Sequence, residues 1–167
     1  MVVILISGYA TSGKDTFSDY VIKYLPCAKK FPIAYDLKEI ASKYFGWDGN
    51  KDEKGRNLLI GIGSVGRAYN PYIWVDKAIK RIKSESFPVA IVSDWRFKNE
   101  FIKVVEAFGR DSVITVRIKR NVGRILDDIS EHDLDDFTDY DYIVDNNGTL
   151  EDLEGAARDF IGRLLLM

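Results

Sequence analysis

The chain has 167 residues, about the length of one compact domain, which excludes a multidomain machine. With 46% apolar and 13% aromatic residues it can bury about 70% of the surface its unfolded form exposes, so it needs no disulfide framework; the single Cys27 cannot form an internal bridge and suits a reducing, cytoplasmic setting. A net charge of −2, from 24 basic and 26 acidic residues, argues against a nucleic acid polymer as partner.

The two signs are unevenly spread. Residues 1–126 carry 22 Lys or Arg against 13 Asp or Glu, whereas residues 127–167 carry 2 against 13, so the balance is +9 and then −11. A local anionic ligand fits this pattern; so does a mixed surface with an acidic loop. No apolar run approaches 18 residues, and the opening MVVILIS has neither a basic flank nor a cleavage site close behind it, so no membrane or export segment is expected.

In chain order, Val2–Ser7 reads as a fully buried strand, followed by a Gly-rich loop and a helical pattern through Phe17, Val21 and Leu25. About fifty residues of mostly helical sequence come next, more than a minimal crossover needs. Val75, Ala78, Ile79 and Ile82 form one apolar stripe there, entered through Asn70 and Pro71. Val89–Val92 is a second Val/Ile-rich strand. Phe97, Phe101, Val104, Val105 and Phe108 then mark an amphipathic helix closed by Gly109. Strands at 113–118 and 142–144 follow, and Leu150, Leu153, Ala157, Phe160, Ile161 and Leu164 form a last helix with Thr149 as N-cap. Strands alternating with helices predict an α/β fold with a parallel sheet covered on both faces, in a single domain over 1–167.

The loop after the first strand is the most informative segment: Gly8-Tyr9-Ala10-Thr11-Ser12-Gly13-Lys14-Asp15-Thr16. Two glycines five apart let the backbone wrap so that successive N–H groups point inward, and the helix that follows adds its partial positive charge. Such a nest suits a polyphosphate, with Lys14 reaching the β and γ phosphates. A plain Gly-rich turn is the bland alternative, but the position between a buried strand and a helix is what phosphate binding requires. The segment resembles a Walker A loop, with Asp15 where that pattern places Ser or Thr. A carboxylate is a good ligand for magnesium, directly or through water, and Thr16 is then directed at the α phosphate.

The GKDT sequence resembles the loop of phage-type deoxynucleoside monophosphate kinases, and a related GKD loop occurs in animal-type phosphomevalonate kinases. The likeness implies a P-loop NTPase three-layer sandwich of nucleoside monophosphate kinase type, with a helical acceptor insertion near 34–86 and a short lid near 117–134. It extends to Ser93-Asp94-Trp95-Arg96-Phe97-Lys98-Asn99-Glu100, which resembles a (V/I)SD-x-R-F-x-N-E segment of the phage kinases. This places Asp94 at a strand end, where open α/β sheets hold their ligands. The resemblance implies that Asp94 orients metal-bound water or the attacking phosphate, that Arg96 pairs with the acceptor phosphate, and that Asn99 and Glu100 belong to the acceptor side.

Residues 31–39 resemble the family's F-A-x-P-L-K-E stretch, with the proline early and Asp36 in its place, which makes Lys38 an acceptor candidate. Gly55-Arg56, Gly61-Ile62-Gly63-Ser64-Val65-Gly66-Arg67 and Asn70-Pro71-Tyr72-Ile73-Trp74-Val75 resemble the G-R, G-x-G and N-x-x-W-V run of the same kinases. By that likeness Arg56 and Arg67 serve the monophosphate, and Trp74 shapes the pocket or is a core aromatic.

Arg117, Lys119, Arg120 and Arg124 crowd the end of the third long strand. Arg120 and Arg124, spaced i and i+4, are expected to share a helix face and close over the transferred phosphoryl group, a solvated basic helix being the alternative. Ser130-Glu131-His132, followed by a strand and Asn146-Asn147-Gly148, resembles a stretch common to both kinase families. It implies that Asn147 and Gly148 lie against the adenine. His132 has no second histidine or cysteine beside it, which excludes zinc on ligand count; it is read as structural, with a catalytic role open only by the likeness.

The expected activity is ATP- and Mg2+-dependent phosphoryl transfer to a (deoxy)nucleoside monophosphate. Gly8, Ala10, Thr11, Ser12, Gly13, Lys14, Asp15, Thr16, Asn147 and Gly148 would bind ATP, and Asp15 and Asp94 the metal. Lys14, Asp94, Arg96, Arg120 and Arg124 would act in catalysis; Lys38, Arg56, Arg67, Trp74, Arg96, Asn99 and Glu100 would bind the acceptor. A phosphomevalonate kinase, an NTP-hydrolysing switch or ATPase subunit, and a non-enzymatic binding module are the alternatives. The accepted base and sugar stay open, and a homodimer is compatible with the sequence.

Overall fold

A computed structural model describes residues 1–166. Among them, β1 (Val2–Ser7), β2 (Ala28–Lys30), β3 (Val89–Val92), β4 (Val113–Lys119) and β5 (Tyr142–Asp145) form one parallel sheet in the order β2-β3-β1-β4-β5. The most apolar strand takes the middle. β1 pairs with β3 through Ile4 and Ile91, and with β4 through Ile4 and Ile114.

Side chains on a strand alternate between faces, and β1 uses that alternation to feed two cores. Val3 and Leu5 join Ala90, Val92, Trp74 and Trp95 on the face covered by α4 (Ile73–Glu85) and α5 (Lys98–Phe108). Ile4 and Ile6 join Ile91, Val116, Phe17 and Phe160 on the face covered by α1 (Lys14–Tyr24) and α7 (Leu150–Leu164). Each residue of β1 from Val3 to Ile6 is fully buried, which is why the strand reads as a continuous apolar run.

The long stretch between β2 and β3 folds as α2 (Tyr35–Phe45), α3 (Glu53–Tyr69) and α4. α3 begins at Asp52, whose carboxylate accepts the Gly55 N–H. It is pinned to α4 by Trp74, which is 4% exposed and donates its indole N–H to the Gly63 carbonyl at 3.0 Å. Thr149 caps α7 by accepting from the Asp152 N–H, as the sequence predicts.

One expectation fails here. Residues 120–128 carry no helix; the only helical turn nearby is α6 (Ile129–His132). Arg120 and Arg124 therefore share no helix face. Gly123 sits at φ +72°, a left-handed conformation that an α-helix interior cannot hold, and Ile125 is exposed, so no apolar stripe exists for a helix to bury. No helix among the described residues is long and apolar enough to cross a membrane.

The α3–α4 contact makes a paired prediction. A Cβ on Gly66 would stand 2.3 Å from the buried Trp74 ring, whereas one on Gly61 in the same helix meets nothing within 4 Å. Gly66→Ala should lower unfolding stability by about 1–3 kcal/mol, and Gly61→Ala should raise it by about 0.5–1 kcal/mol, both read from urea denaturation midpoints.

Candidate active site

The phosphate loop spans residues 8–13, between the end of β1 and the start of α1. Gly13 takes φ +99°, and a Cβ there would meet the Asn146 side-chain amide at 2.4 Å, so only glycine fits. That approach is structural: Asn146 donates its amide N–H to the Ser12 carbonyl at 2.8 Å, fixing the loop to the end of β5. No side chain caps the start of α1, leaving its first N–H groups free for an anion.

Lys14 is 8% exposed and curls over the loop, donating to the carbonyls of Gly8 and Tyr9, each at 2.8 Å. Burial, followed by the charge of Arg96, pulls its pKa down to about 7, while Glu131, Asp15 and Asp94 pull the other way. A cation held this reluctantly has much to gain from a phosphate.

At the end of β3, Ser93 donates its hydroxyl to the Asp15 carboxylate at 3.1 Å. Asp94 accepts the Ile33 N–H at 2.8 Å on one oxygen and the Ala34 N–H at 2.9 Å on the other. It thus ties the phosphate-loop side of the sheet to the entrance of α2. Asp15, Ser93 and Asp94 all line the same cavity. Two carboxylates and a hydroxyl are oxygen donors that fit magnesium, which keeps several waters and takes phosphate oxygens alongside few protein ligands.

Glu100 lines this cavity too, but as a carboxylate already engaged by the backbone. It is buried, and one oxygen accepts both the Arg96 N–H at 2.9 Å and the Phe97 N–H at 3.0 Å, capping α5 and fixing the backbone of Arg96. Burial raises its pKa to about 7 against those two hydrogen bonds. Asn99 lies off the cavity wall and donates its amide to the Pro71 carbonyl at 3.1 Å, fastening α5 to the α3–α4 turn.

A cavity of 470 Å³ opens between the phosphate loop and the insertion helices. Ala10, Thr11, Lys14 and Asp15 line one side; Lys38, Arg56, Arg67 and Trp74 line the other, with Arg96 between them. Lys51, which no motif singles out, joins this wall. Arg67 stacks on the Phe97 ring at 4.4 Å and is half-buried, so burial lowers its pKa while Glu100 and Asp128 support its charge. Trp74 is therefore both a core aromatic and a wall of the cavity.

A second cavity of 630 Å³ lies across the phosphate loop, lined by Tyr9, Arg117, Arg120, Asn121 and Asn147 among others. Asn147 accepts the Asn121 N–H at 2.8 Å, joining the segment after β4 to the segment after β5. Of the two arginines expected to form a lid, Arg120 reaches this second cavity and Arg124 lines neither. Gly148 and Thr16 also line neither; Gly148 packs against the Asp152 carboxylate. His132 is exposed, bonded through Nδ1 to Asp135 at 2.9 Å and through Nε2 to the Leu126 carbonyl at 3.1 Å, in keeping with a structural role.

Sequence reasoning missed the part played by Glu131. Its side chain is 4% exposed, one oxygen accepts the Ala10 N–H of the phosphate loop at 2.7 Å, and the other pairs with the Arg96 guanidinium. The Ser-Glu pair stood out in the sequence, but nothing local says that it folds back 121 residues onto the loop.

No family model matches the chain, and no curated protein matches it. Among solved structures it is similar to a gluconokinase from Sinorhizobium meliloti 1021, with TM-score 0.56 and 14% identity over 98% of this chain and 93% of that one. It is also similar to a sugar kinase from Janibacter sp. HTCC2649, with TM-score 0.51 and 15% identity over 97% and 95%. At these identities the likeness is one of fold: it is shared in the five-stranded parallel sheet with helices on both faces, the α/β sandwich that the sequence predicts.

The Asp94 strap yields a measurable consequence. Asp94→Ala leaves two backbone donors without their charged acceptor and should cost about 2–3 kcal/mol of stability. Hydrogen exchange should rise at the amides of Ile33 and Ala34 while those of β1 stay protected.

Proposed function

We propose that the chain is a P-loop kinase that transfers the γ-phosphoryl group of ATP to the phosphate of a (deoxy)nucleoside monophosphate. The observation that carries this reading is the 470 Å³ cavity, in which the phosphate loop with Lys14 faces Arg67, Arg56 and Lys38, with Arg96 between the two sides. Two anions that repel each other need such an arrangement to meet.

In phosphoryl transfer the protein positions the reacting groups and neutralises charge spread over the transferred group; it forms few bonds itself. The loop N–H groups and Lys14 hold the donor phosphates. Arg67, anchored on Phe97, holds the acceptor phosphate, and Arg96 bridges donor and acceptor. Arg56, Lys38 and Lys51 add positive charge to the acceptor wall. Asp15 and Asp94 would hold magnesium, directly or through water, and the ion would supply charge neutralisation to the donor phosphates. A phosphate dianion is already nucleophilic, so no side chain has to take a proton from it. Both oxygens of Asp94 already accept backbone N–H groups, which suits a residue that orients rather than one that removes a proton. Arg120, Asn147 and the second cavity serve the nucleoside of ATP in this reading, and the exposed, unbridged Cys27 fits a reducing cytoplasm.

A second acceptor class, a hydroxyl group, is the reading to which the names of the gluconokinase and the sugar kinase point. The concentration of cations on the acceptor wall favours a phosphate. ATP consumption measured with dGMP, dTMP, dCMP, dAMP, mevalonate phosphate and gluconate should rise with one or more of the nucleotides. A rise with mevalonate phosphate or gluconate alone overturns the proposal, and turnover indifferent to every acceptor identifies a hydrolytic switch. Arg67→Ala should raise the KM for the acceptor about tenfold to a hundredfold, as expected for loss of a charged hydrogen bond, with the KM for ATP little moved.

The depressed pKa of Lys14 makes a separate prediction. A bound phosphate restores the charged form, so above pH 7 ATP binding should draw up to about one proton into the protein, and affinity should fall as the pH rises. Calorimetry in buffers of different ionisation enthalpy reads this uptake. Lys14→Met should abolish it and cut kcat by about a hundredfold to a thousandfold.

A further inference from the structure

We infer that Glu131 is a positioning residue for phosphoryl transfer, setting where the Arg96 guanidinium stands relative to the phosphate loop. The inference rests on the kinase reading above, because it treats Arg96 as the group that bridges the two phosphates.

The geometry is unusual for a surface turn. α6 is only four residues long, yet it delivers a carboxylate that is 4% exposed into the space between the loop and β3. One oxygen of that carboxylate accepts the Ala10 N–H and the other holds Arg96, whose guanidinium also lies 3.4 Å from the Gly8 carbonyl. The group is thus fixed at both oxygens, by partners from two different segments. Asp128 accepts from the Ser130 N–H at 2.9 Å and holds the turn that carries it.

Electrostatics explains why a carboxylate is needed. The charge of Arg96 disfavours that of Lys14, and both side chains reach the Gly8 carbonyl, at 3.4 Å and 2.8 Å. Without an anion beside them the longer, more exposed side chain would swing away. A carboxylate placed laterally, on the loop's own N–H, holds Arg96 beside the loop and leaves the rest of its fork of N–H groups for a ligand. A neutral amide cannot replace it. In Glu131→Gln one of the two positions becomes an NH2 facing either the Ala10 N–H or the guanidinium, donor against donor. Glu131→Asp keeps the charge but, one methylene shorter, reaches only one partner.

The test is kinetic and uses a double-mutant cycle on the full chain. Glu131→Gln should lower kcat about tenfold to a hundredfold, as misplacement of a bridging group does, while the ATP dissociation constant from calorimetry moves less than about threefold. Glu131→Asp should fall between it and the wild type. In an Arg96→Ala background, Glu131→Gln should change kcat by less than about twofold, because its effect passes through the guanidinium. Full multiplication of the two losses would show that Glu131 acts elsewhere and overturn the inference. So would tighter ATP binding with unchanged kcat, the mark of a carboxylate that merely competes with phosphate, or a lowered melting temperature with unchanged kcat. If Glu131→Gln does not fold, the same cycle is run with Glu131→Asp. An Arg96→Ala protein that transfers as fast as the wild type would remove the kinase reading of Arg96 together with the inference; a slow Arg96→Ala with additive Glu131→Gln removes the inference alone.

Discussion

The loop at residues 8–13 makes one backbone hydrogen bond within itself, from the Ser12 N–H to the Tyr9 carbonyl, so its shape has to be imposed from outside. That constraint accounts for most of the polar architecture around residues 8–13. Asn146 reaches in from the end of β5 to the Ser12 carbonyl, Tyr9 donates its hydroxyl to Asp135 at 2.7 Å, and Glu131 takes the Ala10 N–H. Lys14 closes the loop on itself through the carbonyls of Gly8 and Tyr9. The buried strand β1 supplies the rigid base from which all of this is measured.

Three carboxylates near the site share one device. Asp94, Glu100 and Glu131 each accept two hydrogen bonds, and each includes at least one backbone N–H among its donors. Charge-assisted bonds of this kind are stronger and shorter than neutral ones, and they convert side chains at the end of β3, the start of α5 and α6 into struts. Arg96 stands where two of the struts meet: Glu100 holds its backbone and Glu131 its guanidinium. Of the cations across the cavity, Lys38, Lys51, Arg56 and Arg67, only Arg67 is braced, on the ring of Phe97.

Much of this was legible in the sequence, and the limits have physical causes. Buried runs such as Val2–Ser7 and Val89–Val92 and the apolar stripes of α5 and α7 announce themselves, because burial imposes a period that few alternatives satisfy. β2 did not: Ala28–Lys30 is three residues long with two lysines, and it is a strand only because β3 offers it an edge. The helix expected at Arg120 and Arg124 followed charge spacing alone, with no apolar stripe to bury and a glycine in the left-handed region between them. Lys14, Asp15, Arg67 and Arg96 were readable because local motifs carry them to one cavity. Glu131 and Lys51 were not, since their place depends on long-range folding that no local pattern encodes. Glu100, placed on the acceptor side by likeness, does line that cavity, and its two backbone hydrogen bonds, which no motif announces, brace the start of α5.

The odd and even residues of β1 belong to different halves of the molecule. Val3 and Leu5 are continuous with the helices that carry Lys38, Arg67 and Trp74, and Ile4 and Ile6 with α1 and α7 behind the loop at residues 8–13. The sheet therefore acts as a partition. Volume can be traded among side chains on the half that carries α4 and α5 without repacking the half that seats residues 8–13, so the cavity wall built by the insertion helices is free to change its contour while the loop facing it stands still.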